Sequence, residues 1–398
     1  MEPASLASDY HGECILASIE LRNVWKIYGG KVQAVIDTSW KCEDGEFFSI
    51  LGPSGCGKSS TLRMIAGLEE ITRGEILFDG EVVNKKPPSE RNVAMVFENW
   101  ALYPNLTVYE NIAFPLRVRQ LPADVIDKKV REAARFLKLE AILKTGVRHL
   151  SGGEMQRVSI GRAIVREPAV LIMDEPISHL DAALRLEMRD ELKTQVSQLG
   201  VTVLYITHDQ VESMAMANRI AIMNLGRIQQ VGTPLEIYYN PRSDFVGGFI
   251  GEPPMNFTTC ELSREGDRAY IQSPAFKIEL DDICRANVAG YRGGKLKLGV
   301  RPEDVHIDLT PSPNSFGAEV DFVEQQGDRT IISVTFGQSE MFLIQVLGDF
   351  RPQLGQTAHI SFDQRHLHFF DPATGLNILW PASPDKAGAP DLALAPGR

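Results

Sequence analysis

Short apolar runs alternate with helical patterns between about residues 15 and 235. The runs at 47–51, 169–174 and 201–207 show no polar alternation, which is typical of parallel strands buried on both faces. Between the last two runs, apolar residues recur along one helical face; they are Leu184, Met188, Leu192, Val196 and Leu199. Strand, amphipathic helix and strand in this order predict a parallel sheet covered by helices.

An antiparallel portion and a helical insertion interrupt this pattern. Asp79-Gly80 lies between apolar runs in the stretch 74–83, and this dipeptide is a strong signal for a β-hairpin. Residues 106–168 are mostly helical in pattern. We therefore expect an α/β domain with a mixed sheet, and a helical subdomain at about 100–168 inserted between two of its strands.

The pattern changes after residue 240, where helical periodicity mostly fades. Short β-type runs separated by Gly, Pro and Asp turns predict a small β-barrel domain; the runs lie at 295–300, 304–307, 330–336, 340–346, 358–362 and 366–370. The last residues are rich in Pro, Ala and Gly, which favours disorder. The predicted parts are an N-terminal extension (1–16), an α/β domain (17–240), a linker (241–255), an all-β domain (256–381) and a disordered tail (382–398).

Composition and charge limit the partners and the compartment. The chain has 398 residues and a net charge of −11, which makes nucleic acid a poor partner because phosphate binding needs a basic surface. It has no run of 18 apolar residues that would span a bilayer, and its acidic first residues do not predict a secretion signal. Five scattered cysteines without a C-x-x-C pair favour reduced thiols in the cytosol over a disulfide framework or a zinc site.

The stretch GPSGCGKSS directly follows the strand predicted at 47–51, and we call its residues, 52–60, the phosphate loop. It fits the pattern G-x-x-x-x-G-K-[ST] with Gly52, Gly57, Lys58 and Ser59. Glycines let backbone N–H groups face a phosphate without Cβ clashes, and the helix that follows adds its positive end. Lys58 would then reach the β- and γ-phosphates, while the Ser59 hydroxyl would bind Mg²⁺.

A pair of acidic residues is a second feature that indicates a nucleotide site. The apolar run at 169–174 ends in Asp174, and Glu175 follows it. A carboxylate at a strand tip suits a Mg²⁺ ligand, and its neighbour suits a general base that orients the attacking water. Beside the phosphate loop, we interpret this pair as catalytic rather than as two solvated loop acids.

The stretch LSGGEMQRVSIGRAIVREP, at 150–168, indicates which class of nucleotide-binding protein the chain resembles. Ser151 and Glu154 form the S-x-x-E pattern of a capping box, and Gly152 and Gly153 leave N–H groups open at the positive end of the helix. Together with the phosphate loop, this stretch resembles the signature of ABC transporter ATPases. The resemblance implies that the signature turn, residues 151–153, binds the γ-phosphate of ATP held by another subunit. Two ATP molecules would then lie between two head-to-tail subunits.

The same resemblance implies roles for further residues. Tyr28 is expected to stack on adenine, and His208 is expected to contact the γ-phosphate and to hold the water beside the catalytic Glu175. The resemblance also implies a catalytic role for Glu98, with Glu175 and His208. The expected ligands are ATP and Mg²⁺, with Ser59, Glu98 and Asp174 as metal ligands. The residues expected to bind the nucleotide are Tyr28, Gly52, Pro53, Ser54, Gly55, Cys56, Gly57, Lys58, Ser59, Ser60, Ser151, Gly152, Gly153 and Asp181.

Two positions depart from the family's pattern. In the stretch 178–181, Ser178 and Asp181 match residues that contact the partner subunit, but His179 stands where the family usually has asparagine, and we assign it no catalytic role. Glu98 stands where the family normally has a glutamine that touches Mg²⁺ and the catalytic water. The loop with that glutamine also meets the transmembrane partner in the family.

The sequence does not decide whether Glu98 raises or lowers the rate of ATP hydrolysis. Glutamate offers oxygen to Mg²⁺ but loses the amide donor of glutamine. Two unit charges about 4 Å apart interact by roughly 1 kcal/mol in water and by about 4 kcal/mol at an effective dielectric near 20, so attraction to Mg²⁺ and repulsion from phosphate are of similar size. Glu98 is a tolerated variant in a working ATPase, a mark of the weaker site in a heteromeric pair, or a carboxylate that is neutralised or turned outward. Because the other expected catalytic residues are intact, we favour an active ATPase.

The resemblance covers about residues 17–380. The stretches at 232–257 and 298–307 resemble the linker and the OB-like, TOBE-type β-domain of sugar-importer ATPases, and polyamine and iron importers carry a related tail. The implied assembly is a homodimer, or a heterodimer with a paralogous ATPase subunit, under two transmembrane permease subunits at the cytoplasmic face of the membrane. Coupling helices of the permease should dock near 99–106, and an extracytoplasmic binding protein would deliver cargo.

Two other classes of protein compete with this interpretation. A non-hydrolysing, nucleotide-binding partner subunit is the main competitor, because of Glu98. A soluble ABC protein of translation or DNA repair is disfavoured, because such proteins carry two fused ATPase halves or a long coiled-coil insertion.

Overall fold

The computed structural model describes residues 17–348 and 350–380, and the chain divides into two compact units between Pro234 and Leu235. The predicted extension at 1–16 and the predicted tail at 382–398 lie outside the described residues. The structure places a short helix within the predicted linker, at Asp244–Phe249.

The first unit combines ten strands with helices on the described part of the chain. The strands are β1 (Ile19–Tyr28), β2 (Val32–Cys42), β3 (Phe47–Leu51), β4 (Arg73–Phe78), β5 (Glu81–Val82), β6 (Val93–Val96), β7 (Val170–Asp174), β8 (Thr202–Thr207), β9 (Arg219–Asn224) and β10 (Arg227–Gly232). The helices are α1 (Lys58–Ala66), α2 (Val108–Val118), α3 (Ala123–Phe136), α4 (Gly152–Ile164), α5 (Ala182–Leu199) and α6 (Gln210–Met216).

These strands form two sheets. The six-stranded sheet has the order β10-β9-β3-β8-β7-β6 and is parallel from β9 to β6, with β10 antiparallel at its edge. The four-stranded sheet has the order β2-β1-β4-β5 and is antiparallel. The three uniformly apolar runs are β3, β7 and β8, as predicted. The hairpin at Asp79-Gly80 is also confirmed, and both residues adopt positive φ, 49° and 78°.

The helical insertion, α2 to α4, shares one hydrophobic core with helix α5 and part of the parallel sheet. On α5 the predicted apolar face contacts this core. Met188, Leu192 and Val196 are buried, and Leu184 and Leu199, at the two ends of that face, are half-buried. The parallel strands meet this core on one face and a second core, shared with the antiparallel sheet and α1, on the other. Burial on both faces explains why these strands read as unbroken apolar runs.

The second unit is mainly β-structure. Its strands are β11 (Asn256–Glu265), β12 (Arg268–Gln272), β13 (Lys277–Glu279), β14 (Lys295–Val300), β15 (Val305–Asp308), β16 (Phe316–Gln325), β17 (Arg329–Phe336), β18 (Glu340–Leu347), β19 (Thr357–Phe362) and β20 (His368–Phe370). Its helices are α7 (Pro234–Tyr239), which begins at the last residue of the first unit, α8 (Asp244–Phe249) and α9 (Asp282–Val288).

Two five-stranded antiparallel sheets, β13-β12-β11-β14-β20 and β15-β19-β16-β17-β18, enclose a single hydrophobic core. This confirms the OB-like class of the domain. The predicted runs match β14, β15, β17, β18, β19 and β20, but no run predicts β11, β12, β13 or β16. In these four strands buried and exposed residues alternate, because one face meets the core and the other meets solvent.

The four cysteines of the described part, Cys42, Cys56, Cys260 and Cys284, are buried free thiols. Burial raises the pKa of the Cys260 and Cys284 thiols to about 12. Within residues 17–348 and 350–380, none of the helices has the length and apolar character needed to cross a membrane.

Candidate functional site

The phosphate loop connects the carboxyl end of β3 to the N-terminus of α1. A Cβ at Gly57 would lie 2.3 Å from the carbonyl oxygen of Ala34, and one at Gly52 would lie 2.1 Å from that of Met223. Gly57 also has a φ of 111°, and Gly55 has a φ of 76°. Side chains would therefore clash or strain the backbone at these positions, and glycine keeps the loop's N–H groups accessible to an anion.

Lys58 is the first residue of α1, and its ammonium group turns back over the loop. Its Nζ donates hydrogen bonds to the carbonyl oxygens of Gly52, at 2.8 Å, and Pro53, at 3.0 Å, although the residue is only 5% exposed. An ammonium group has three donors, so this geometry leaves one for a phosphate oxygen. Ser54 and Ser59 are exposed at the rim of the loop. The loop can therefore bind an anion, and the Lys58 ammonium group supplies a positive charge within it.

Tyr28, at the end of β1, lies beside the first turn of α1. Its hydroxyl lies 3.1 Å from Ser60 Oγ and also donates to the carboxylate of Glu69. Lys26 Nζ lies 4.8 Å from the centre of the Tyr28 ring. The aromatic ring is therefore next to the phosphate loop, and its stacking on adenine stays a prediction.

Glu175 and His208 meet at the carboxyl ends of β7 and β8, which are neighbours in the parallel sheet. His208 Nδ1 lies 2.9 Å from Glu175 Oε2, with the histidine side chain 51% exposed and the glutamate side chain 22% exposed. Glu175 adopts a left-handed backbone conformation, with φ of 46°, and its N–H donates to the carbonyl oxygen of Ile206 at 2.8 Å. Such strain at a non-glycine residue is typical of functional sites. The structure therefore brings together two of the three predicted catalytic residues, Glu175 and His208.

Asp174 lies at the tip of β7, next to two other carboxylates. Burial raises its pKa above the usual aspartate value, and the negative charges of Glu175 and Glu98 raise it further; Arg63 and Lys58 oppose the shift. A divalent cation at this point would relieve that repulsion. No group of three or more His, Cys, Asp and Glu residues is arranged to hold a metal in the described part of the chain. Mg²⁺ commonly uses one or two carboxylates together with substrate phosphates, so these residues fit Mg²⁺ bound with a nucleotide.

The signature turn has the capping box that the sequence predicts. Ser151 Oγ accepts a hydrogen bond from the Glu154 N–H at 3.4 Å, and Glu154 Oε2 accepts from the Ser151 N–H at 2.8 Å. A Cβ at Gly152 would lie 2.8 Å from Cδ2 of Leu180, so the side chain of Leu180 would have to move to admit a larger residue there. The hydrogen bonds of Ser151 stay within its own helix start. In a single chain, they do not join this turn to the phosphate loop.

The loop between β7 and α5 carries Asp181 as the N-cap of α5, where its carboxylate accepts from the Leu184 N–H at 3.0 Å. Arg185 organises this loop, although no sequence pattern singles it out. Its guanidinium donates to the carbonyl oxygens of Ser178 and Leu180, at 3.2 and 3.1 Å, and lies 3.4 Å from Asp209. An arginine four residues after the N-cap is an ordinary helix residue in sequence, so only the tertiary contacts identify it.

Glu98 and His179, the two departures from the family's pattern, contact each other. His179 Nε2 lies 3.5 Å from Glu98 Oε1, and both side chains are about half exposed, at 50% and 53%. The His179 ring also meets the edge of Trp100, with ring centres 6.4 Å apart. Glu98 is therefore neither buried nor remote from the site, because its charge also acts on Asp174.

Family profiles match both units of the chain. The ABC transporter profile matches residues 35–178, the MalK OB fold domain profile matches 251–305, and the TOBE domain profile matches 298–370. The first match includes the phosphate loop, the signature turn and Glu175. The other two cover most of the β-structure in the second unit.

Full-length relatives carry similar names. The chain is 45% identical to the "Trehalose/maltose import ATP-binding protein MalK" of Thermococcus litoralis, covering 91% of this chain and all of that protein. It is 42% identical to the "Oligosaccharides import ATP-binding protein MsmX" of Bacillus subtilis, with the same coverage. It is 41% identical to the "sn-glycerol-3-phosphate import ATP-binding protein UgpC" of Bordetella avium, covering 91% of this chain and 99% of that protein.

A solved structure agrees with these relatives. CbiO1 of Clostridium perfringens, described as part of the ABC transporter complex CbiONQ, aligns with a TM-score of 0.52 and 28% identity, over 55% of this chain and 89% of its own. The phosphate loop, the paired Glu175 and His208, and relatives that match from end to end lead to one conclusion: this chain belongs to the ABC transporter family, as an ATP-binding subunit with ATPase chemistry.

Proposed function

We propose that this chain is the ATP-hydrolysing subunit of an ABC importer for a carbohydrate or for a related polyol or glycerol phosphate. The observation that carries the proposal is the 2.9 Å contact between Glu175 and His208, next to Asp174 and the phosphate loop. The importer class rests on the relatives, whose names state import of trehalose or maltose, oligosaccharides and sn-glycerol-3-phosphate.

The chain's own residues would divide the chemistry of hydrolysis among them. Lys58 and the loop's N–H groups hold the phosphates and stabilise charge that develops on the departing oxygen. Glu175 orients the attacking water and accepts its proton, since a carboxylate within hydrogen-bond reach is a suitable general base. His208 fixes the Glu175 carboxylate in place and, being half exposed, has room to contact the γ-phosphate as well.

Asp174, Ser59 and Glu98 are the residues that would hold Mg²⁺. When bound, Mg²⁺ would neutralise part of the negative charge on the phosphates. Asp174 suits this role because burial and two neighbouring carboxylates raise its pKa, and a cation would favour its ionised form.

The signature turn supports a dimer, because the hydrogen bonds of Ser151 stay within its own helix start and do not join the turn to the phosphate loop of the same chain. It presents the N–H groups of a helix start with glycines at positions 152 and 153, and a second copy of the chain would bring a nucleotide to it. We expect Glu175→Gln chain to form an ATP-bound dimer that light scattering detects as a doubled mass with Mg-ATP. If its mass stays that of one chain while ATP is bound, the dimer is ruled out.

A groove in the first unit supports a permease as partner. It has a volume of about 580 Å³, and its lining includes the exposed apolar residues Phe97, Tyr103, Phe114 and Val118. Arg119, Arg162 and Arg166 also line it. Exposed apolar surface of this kind marks protein contacts. It borders the loop that follows Glu98, so a permease helix docked there would attach the chain to the cytoplasmic face of the membrane.

Uptake measurements in cells test the transport function. We expect deletion of the gene to abolish uptake of at least one labelled carbohydrate or polyol phosphate, and the native chain but not Lys58→Ala to restore it. The cargo class is wrong if a panel of labelled carbohydrates and glycerol phosphate enters normally while polyamine or iron uptake is lost.

A second candidate is favoured by the Glu98–His179 contact. A carboxylate that is held 3.5 Å from a histidine, in place of a neutral amide near the phosphate, suits a catalytically weakened subunit paired with a paralogue. Turnover of the native chain decides between the two, and Glu98→Gln would raise that turnover strongly only in the weakened subunit.

A further inference from the structure

The loop that follows Glu98 is strained at two consecutive residues. Trp100 and Ala101 both adopt left-handed backbone conformations, with φ of 58° and 47°. Only glycine adopts this conformation without a steric penalty, and two such non-glycine residues in succession are unusual. Surrounding contacts must therefore hold the loop, since strained residues persist only where their surroundings fix them.

Helix α4 supplies those contacts from about 60 residues further along the chain. Arg162 donates from one guanidinium nitrogen to the Ala101 carbonyl oxygen, at 2.6 Å, and from another to the Trp100 carbonyl oxygen, at 2.8 Å. Ser159 Oγ donates to the same Trp100 oxygen at 3.0 Å. Arg162 also lies over the Tyr103 ring, 5.5 Å from its centre. The two strained peptide carbonyls thus share three donors on one helix.

The chemistry of this contact requires arginine. A planar guanidinium presents donors in a fixed fork and can hold two carbonyl oxygens together, whereas a lysine ammonium is a point charge on a flexible stem. The same helix begins at the signature turn, and Arg162 lines the apolar groove described above. Arg162 therefore connects the groove and the signature helix with the loop that carries Glu98.

We propose that Arg162 is a positioning residue for hydrolysis: with Ser159, it holds Trp100 and Ala101 in their strained conformations, and so fixes Glu98 at the phosphate site. This inference rests on the proposed ATPase activity. It adds a residue that acts through the backbone of the 97–101 loop and does not itself touch the nucleotide. A change at the groove that moves Arg162 would then alter the position of Glu98.

The test compares Arg162→Lys with the native chain in steady-state ATP hydrolysis. We expect kcat to fall about tenfold, because a small displacement of a catalytic group costs tenfold or more in rate. The KM for ATP should stay within about twofold, because the phosphate loop and Tyr28 are untouched. Ser159→Ala, which removes one donor and leaves a small buried side chain, should lower kcat in the same direction by about threefold, within the range of one lost hydrogen bond.

Rescue by glycine separates positioning from general stability. Glycine adopts left-handed φ without strain, so Ala101→Gly in the Arg162→Lys chain should recover at least about threefold of the lost kcat. The matched control is Gln120→Gly, since Gln120 is an exposed residue with the same left-handed φ, 58°, outside this loop. It should recover nothing.

Hydrogen exchange gives a readout that does not need activity. Arg162→Lys should speed amide exchange in the segment 97–103, and Ala101→Gly should reverse part of that change. Unchanged kcat and unchanged exchange in Arg162→Lys would overturn the inference. So would a loss of kcat that Ala101→Gly and Gln120→Gly rescue equally, or not at all. A native chain without turnover would instead count against the proposed function, and the exchange result would still decide on the role of Arg162.

Discussion

The two glutamates at the edge of the nucleotide site, Glu175 and Glu98, are held in opposite ways. Glu175 follows a buried parallel strand, is mostly buried itself, and contacts His208 at 2.9 Å. Glu98 lies on an irregular loop, is half exposed, and has a looser 3.5 Å contact with His179. Rigid elements place a catalytic group more accurately than loops do. We therefore propose that Glu175 performs the chemistry and that Glu98 adjusts it.

The same contrast extends to what surrounds each glutamate. Glu175 is tied to its neighbours by its own backbone, through the carbonyl oxygen of Ile206 and the hydroxyl of Ser178. The loop of Glu98 depends on side chains from a different helix, Arg162 and Ser159. One side of the site is therefore built into the sheet, while the other side is sensitive to the position of α4.

The largest effect is expected from Glu175→Gln. Loss of a general base typically lowers the rate by about 10² to 10⁴-fold, so turnover should fall at least about a hundredfold while ATP binding is kept. Release of phosphate from labelled ATP and equilibrium binding of ATP measure the two properties. Glu261→Gln, an exposed glutamate on β11, is the control and should leave both unchanged. Retained turnover in Glu175→Gln would assign the base to another residue.

A smaller effect is expected from Glu98→Gln. At saturating Mg²⁺ its turnover should stay within about tenfold of the native value, because attraction to the cation and repulsion from phosphate nearly cancel. The Mg²⁺ concentration that gives half-maximal activity should rise by about threefold or more, because one negative charge is lost. A gain in turnover of much more than tenfold would show that Glu98 suppresses the native site.

His179→Asn should have a still smaller effect. An exposed side-chain contact of this kind is worth little, so turnover should change by less than about threefold. Combining His179→Asn with Glu98→Gln then tests the contact itself. If the change in activation free energy of the double variant equals the sum of the two single changes, Glu98 and His179 act independently. His179 would then not be what holds Glu98 in place.

Glu212 offers a third carboxylate for the comparison. It is buried on α6, next to Thr207 and Tyr205, and has no proposed catalytic role. Burial raises its pKa, although hydrogen bonds from Thr207 and Tyr205, both 2.8 Å, oppose the shift. Its contribution to stability is therefore full below the unfolded pKa, near 4.3, and is lost as pH rises through the raised folded pKa.

Glu212→Gln should leave turnover unchanged and alter only this pH dependence. At pH 8 the melting temperature of the variant should exceed that of the native chain by about 2–4 °C, whereas near pH 4.5 the two should agree. Calorimetry at the two pH values measures the difference. A variant that is less stable than the native chain at pH 8 would mean that the charged form of Glu212 is favoured in the fold.

Sequence patterns predicted the features that local geometry demands. The phosphate loop could be read from its spacing because Gly52 and Gly57 lie where a Cβ would meet a carbonyl oxygen. The capping box at Ser151 could be read because its two hydrogen bonds join residues only three positions apart. Strands β3, β7 and β8 could be read because burial on both faces leaves an unbroken apolar run.

Features that depend on distant contacts could not be read in the same way. Arg162 and Ser159 contact the loop that follows Glu98 only in the folded chain. The contacts by which Arg185 organises its loop cannot be predicted from the residue pattern of its own helix. The left-handed conformations of Trp100 and Ala101 run against local preference, so no residue-level signal predicts them. Glu98 and His179, the two residues that depart from the family's pattern, are 81 positions apart in the sequence, so their contact could not be predicted from it.

The most direct test of the account is the rate of phosphate release from Mg-ATP by the purified native chain, measured against Lys58→Ala as background. We expect native turnover well above that background, with Glu98→Gln within about tenfold of the native rate. A native chain that binds ATP yet releases phosphate no faster than Lys58→Ala, and that gains turnover when Glu98 becomes glutamine, would contradict the account.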